Sequence, residues 1–111
     1  MPLIRIQSSV KEIKNEDKFL EEISKELANQ TNKPEKYVMT ILEINQKMLF
    51  GCSRVECCFV EIKSIGNLDP KTLSNSVCTI ISKYTKVPTE RIYIEFKDVN
   101  ASNWGFNCST F

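Results

Sequence analysis

Histidine is absent from this 111-residue chain. Its absence removes the usual general base near neutral pH, the commonest zinc ligand and every Ser/His or Cys/His catalytic pair. No C-x-x-C occurs among the five cysteines (Cys52, Cys57, Cys58, Cys78, Cys108). The odd count and irregular spacing point to reduced thiols, with Cys57, Cys58 and Cys78 as small core residues. Charge of one sign is lacking too: 15 Lys+Arg stand against 14 Asp+Glu, a formal balance of +1. A general nucleic-acid binder carries a marked basic surplus, so no nucleic-acid partner is expected. No apolar run approaches the roughly 18 residues that span a bilayer, so no membrane partner is expected either. The start MPLIRIQSS alternates and lacks the long apolar stretch of a secretory signal. The expected location is cytoplasmic, and any extracellular role requires export without a standard signal.

What is present is a repeat. Residues 3–51 reappear as residues 57–105, shifted by 54 positions without a gap. Leu3 matches Cys57, Asn15 matches Asp69, Phe19 matches Leu73, Pro34 matches Pro88 and Gly51 matches Gly105. Shared spacing with loose identity is the mark of a duplicated structural unit, because packing fixes where apolar groups fall. The chain length suits one domain with one core, residues 1–111, with halves 2–51 and 56–105.

Each half reads as strand, helix, strand. Pro2 to Gln7 has strand character, and Asn15 is placed to cap a helix whose first turn carries Glu16 and Asp17. Phe19, Leu20, Ile23 and Leu27 recur at helical spacing over residues 16–31. Pro34 follows, then a strand from Tyr37 to Ile44. In the second half Val55 to Lys63 is a strand, Asp69 caps and Pro70 opens a helix, and Arg91 to Lys97 is the last long strand. That helix buries Leu73, Val77, Ile80, Ile81 and Tyr84. A crossover helix makes the strands of each half parallel. The expected class is α+β: two pseudo-symmetric β-α-β repeats in a four-stranded mixed sheet with both helices on one face. Residues 37–42 and 57–60 are apolar on both sides of their strands, and no third helix exists to cover the second side. Oligomerisation through that uncovered face is therefore expected.

Without histidine, the bases left near neutral pH are an amino terminus, a shifted lysine or acid, and a thiolate. Trimming Met1, usual before a residue as small as proline, exposes Pro2 as a secondary amine at a sheet end. Burial or a nearby ammonium lowers such a pKa and leaves the amine neutral at pH 7. Lys33 stands where the second half has Val87, which marks it as a place to look for asymmetric function. The tail from Asn103 to Phe111 holds three aromatics and a glycine, enough to pave a pocket or to pack on a neighbour.

Met1-Pro2, Asn32-Lys33-Pro34, Phe50-Gly51, Ser64-Ile65-Gly66, Arg91-Ile92-Tyr93-Ile94 and the tail Trp104-Gly105-Phe106-Asn107-Cys108-Ser109-Thr110-Phe111 occur in this order. Their order and spacing resemble the macrophage migration inhibitory factor family over essentially the whole chain, with one short deletion before the second helix. The resemblance implies a homotrimer whose sheets line a central barrel, and a keto–enol tautomerase of phenylpyruvate-like and dopachrome-like acids. It makes Pro2 the base, without any cofactor. Lys33 would pair with the substrate carboxylate, the Ile65 backbone would donate to substrate, and Tyr93 (from a neighbouring subunit) and Phe106 would flank its ring. Glu95 replaces an asparagine that touches substrate in animal members, so an anionic ligand meets a carboxylate there. Trp104 replaces a smaller residue at the pocket mouth, and Val60 breaks the animal C-x-x-C begun at Cys57, so no oxidoreductase activity carries over. The resemblance equally allows a cytokine-like protein that engages a receptor or host protein through the trimer surface.

Overall fold

The computed structural model describes residues 1–111. Leu3–Ser8 (β1) alternates cleanly: Ile4, Ile6 and Ser8 are fully buried while Leu3, Arg5 and Gln7 are half-exposed. Helix Glu16–Thr31 (α1) leads to strand Met39–Glu43 (β2), and strand Cys58–Ser64 (β3) leads through helix Pro70–Thr85 (α2) to strand Ile92–Asp98 (β4). These strands form one sheet in the order β2-β1-β3-β4. Strands β1 and β2 are parallel, β3 and β4 are parallel, and the two halves meet in the antiparallel pair β1–β3. The expected mixed sheet is the observed one.

Both helices lie on one face. Phe19, Ile23 and Leu27 of α1 and Leu73, Val77 and Ile81 of α2 join Ile4, Ile6, Val60 and Ile62 in a single apolar cluster. The helices run antiparallel, for Phe19 near the start of α1 stacks on Tyr84 near the end of α2 with ring centroids 5.0 Å apart. Helix α2 starts as expected: Pro70 is its first residue, and the Asp69 carboxylate accepts from the Thr72 hydroxyl at 2.8 Å. Helix α1 does not. Asn15 adopts a left-handed conformation (φ 57°, ψ 47°) and its side chain makes no cap bond. That backbone turns its side chain away from the open N–H groups; its carbonyl instead accepts the Phe19 N–H at 2.9 Å. Asn32, also left-handed (φ 54°), stops the helix, and the Lys33 N–H closes onto the Ala28 carbonyl at 3.1 Å.

Two strand starts fall later than the sequence suggests. After each of Pro34 and Pro88 one 3-10 turn intervenes (Glu35–Tyr37 and Thr89–Arg91), which delays β2 to Met39 and β4 to Ile92. Strand β3 begins at Cys58 because the carbonyls of Val55 and Glu56 are taken by the Arg91 guanidinium rather than by a ladder.

The open face of the sheet departs from expectation in its chemistry. Pairing places Met39, Leu3, Lys63 and Lys97 in one row, Ile41, Arg5, Glu61 and Glu95 in the next, and Glu43, Gln7, Phe59 and Tyr93 in the third. This face is part apolar and part charged, since the outward positions of β1 and β3 carry Arg5, Gln7, Glu61 and Lys63. Arg5 is paired with Glu43 at 2.8 Å and lies 3.8 Å from Glu61. Its hydrogen bond to Glu43 holds that carboxyl below its ordinary range. Exposed aromatics and methionine still border the charges, Met39 and Tyr93 at 60% and 63% exposure.

Phe19 fills the core at the helix–helix contact. Phe19→Ala is expected to lower unfolding free energy by about 3–5 kcal/mol, measured by urea denaturation at fixed protein concentration. A loss under about 1 kcal/mol would show that the site collapses around the deletion.

Candidate active site

Pro2 is buried at the entry to β1, and its carbonyl accepts the Met39 N–H at 3.1 Å. One step beyond the Leu3–Lys63 and Leu3–Met39 pairs, Pro2 stands opposite Ser64 on one side and Val38 on the other. It shares parity with Ile4, so its ring lies on the helix-covered side of the sheet. The Ser64 hydroxyl, fully buried on that same side, has no hydrogen-bond partner. A proline is tolerated here because this pair of the antiparallel ladder needs no N–H from β1.

A cavity of about 400 Å³ opens over Pro2. One wall comes from the 3-10 turn and its junction with β2 (Tyr37, Val38, Met39), the other from the chain end (Trp104, Phe106, Phe111). The chain end reaches it by a short hairpin, Gly105–Phe106 (β5) with Ser109–Thr110 (β6). Asn107 and Cys108 are both left-handed (φ 52° and 63°), the geometry of a two-residue turn that suits strand twist. The rings interlock. Tyr37 meets Phe106 edge-on at 5.7 Å and Phe111 edge-on at 6.0 Å, while Phe106 and Phe111 stack at 5.2 Å. Such edge and offset contacts fix ring positions at little entropic cost.

The charge near this aromatic cavity is positive. Lys36 lines it, and its ammonium lies 5.1 Å from the Tyr37 ring centroid. Lys33, half-buried past the end of α1, does not line it but acts on the amino terminus. The Met1 amine is lowered from its ordinary value, first by burial and then by the Lys33 charge. A cavity with apolar walls and ammonium groups at its edge suits a ring bearing a carboxylate.

Pro2 and Phe106 thus share one cavity, with Lys33 close enough to be felt electrostatically. Ile65 is half-buried in the turn after β3, where Gly66 (φ 70°) donates its N–H to Asp98 at 2.9 Å. Within one chain Tyr93 and Glu95 are not part of this cavity. Tyr93 shares a row with Gln7, five residues along β1 from Pro2, or about 17 Å. Tyr37, expected as the first residue of a strand, and Lys36, which the sequence did not single out, are wall residues on a 3-10 turn. A usable signal existed: Tyr37 stands 54 positions from Arg91, an aromatic matched to a cation rather than to another core residue.

The family model for macrophage migration inhibitory factor (MIF) matches residues 1–111. The chain belongs to the macrophage migration inhibitory factor family. It is 34% identical to macrophage migration inhibitory factor of Xenopus laevis over 114 residues, covering 100% of this chain and 99% of the relative. With the macrophage migration inhibitory factor homolog of Brugia malayi the identity is 36% over 115 residues, at the same coverage. Among solved structures, the macrophage migration inhibitory factor homologue from Prochlorococcus marinus superimposes with a TM-score of 0.94 at 45% identity, covering 98% of both chains.

In this MIF-family chain the surroundings of the cavity lower the proton affinity of the amino terminus. In the Met1-bearing protein, Lys33→Met is expected to move the terminal amine pKa upward, yet not fully to its ordinary value, because burial remains. The pH dependence of amine acylation, followed by mass, measures this; an unmoved titration would show that the Lys33 field does not reach the terminus.

Proposed function

We propose that this MIF-family protein is a keto–enol tautomerase of small aromatic α-keto acids of the phenylpyruvate and dopachrome type, with the Pro2 amine as base once Met1 is removed. The observation that carries this reading is Pro2 itself, buried at the floor of an aromatic cavity where burial and Lys33 depress a terminal amine. While Met1 is attached, the Pro2 nitrogen is an amide without useful basicity. Freed, it becomes a secondary amine in the same surroundings, where burial and the Lys33 charge both favour the neutral form, and a neutral amine accepts a proton. It takes the proton from the enol oxygen; the O–H pair becomes the carbonyl π bond and the C=C pair takes a proton at carbon. The net change moves one proton and consumes no oxidant or reductant.

Lys33 pairs with the substrate carboxylate, the Ile65 backbone N–H donates to it, and Phe106 lies along the ring. Tyr93 and Glu95, distant from Pro2 in their own chain, complete a neighbouring subunit's cavity in a homotrimer. The exposed Met39 and Tyr93 on the uncovered sheet face support assembly there. A cytokine-like role is the second reading. Leu49 and Val55 are 63% and 59% exposed outside the cavity, so a partner protein can be engaged without Pro2 chemistry.

Phenylpyruvate turnover by a preparation whose mass shows Pro2 at the terminus is the test. Pro2→Gly, or retention of Met1, is expected to cost about 100-fold or more in kcat/KM while the trimer persists. Activity is expected to fall as pH drops through the amine pKa, since the protonated amine cannot accept. Unchanged turnover in either variant would exclude Pro2 as the base and leave the binding role in front.

A further inference from the structure

Arg91 makes an unusual set of bonds. Its guanidinium donates to four backbone carbonyls of one loop: Nη1 to Phe50 at 3.1 Å, Nη2 to Ser53 at 3.3 Å and to Val55 at 2.7 Å, and Nε to Glu56 at 3.3 Å. The loop is also closed on itself, Phe50 and Ser53 exchanging both backbone bonds at 3.0 Å around the left-handed pair Gly51 and Cys52. The guanidinium carbon lies 4.9 Å from the Phe50 ring centroid, so backbone and side chain of Phe50 are gripped by one group. Phe50 in turn packs on Tyr93, centroids 4.5 Å apart and tilted by 48°. Arg91 ends the 3-10 turn before β4 and Tyr93 is the second residue of β4, and Phe50 meets both.

Tyr93 is 63% exposed. An exposed tyrosine ordinarily samples rotamers, and holding one costs entropy with nothing gained inside the chain. Here a chain of contacts supplies the restraint. We propose that Arg91 is a positioning residue: through Phe50 it fixes the Tyr93 ring in the place where it meets a bound aromatic ligand. The ligand-facing part of this inference rests on the tautomerase reading, in which Tyr93 walls a neighbour's cavity. A preorganised ring gains affinity by removing an ordering cost, so the effect falls on binding of aromatic substrates rather than on proton transfer. Lysine cannot replace the arginine. Its single ammonium has three donors at one point, whereas the planar fork reaches four carbonyls at once.

The test uses Pro2-terminated protein labelled with fluorotyrosine, with Tyr93→Phe assigning the Tyr93 fluorine resonance. Arg91→Lys and Phe50→Leu are expected to shift that resonance toward the position of free fluorotyrosine, and Phe50→Tyr to leave it in place. In kinetics, the first two variants are expected to raise KM for phenylpyruvate about three- to tenfold. The trimer, kcat and the acid limb of the pH profile stay as in the parent, and KM for an aliphatic α-keto acid does not rise. An unmoved resonance in both variants would overturn the brace. A moved resonance with unchanged KM, or a joint collapse of kcat, trimer and pH profile, would overturn the positioning role. If the parent itself is inactive, the tautomerase reading fails, and the fluorine spectra still decide whether Arg91 fixes Tyr93.

Discussion

The antiparallel contact between β1 and β3 holds this molecule together. Each half is a parallel strand pair bridged by a helix, and neither buries its apolar side alone. Joining Ile4 and Ile6 to Ile62 and Val60 sets both helices over one continuous core. The same register places Pro2 against Ser64 and sends Tyr93 to the opposite end of the sheet. A one-residue slip would turn every core side chain of β1 to the open face, so the position of the amino terminus is fixed as firmly as the core.

Much of this was legible in the sequence. Strand–helix–strand order, both helices, the Asp69 cap and the mixed sheet follow from periodicity and capping residues, which are local signals. The charged character of the open face was harder to see. It depends on which alternate residues of β1 and β3 face outward, and Arg5, Glu61 and Lys63 mean little until the register is known. Asn15 misled for a related reason: asparagine serves equally as a side-chain cap and as a left-handed hinge, and residue type does not distinguish them.

The cavity was legible in its parts more than in its assembly. Pro2, Lys33 and Phe106 were named from residue type and from resemblance to a family, but the aromatic lattice of Tyr37, Phe106 and Phe111 exists only after the tail folds back on β2. Tyr93 and Glu95 illustrate the converse. They stand far from Pro2 along the sheet, and a single chain gives them no cavity to line. The Arg91 staple was invisible, because four carbonyl acceptors leave no mark in sequence.

The two helix–strand junctions share a backbone plan and differ in what fills them. At one, Lys36 and Tyr37 edge an open cavity; at the other, Val87 is fully buried and Arg91 ties down a loop. Openness and rigidity, which compete for the same residues in most small enzymes, are thereby housed at opposite ends of one sheet. Substitutions that reshape the open junction leave the closed one to hold the fold, so specificity can drift at one end of the molecule at little cost to its stability.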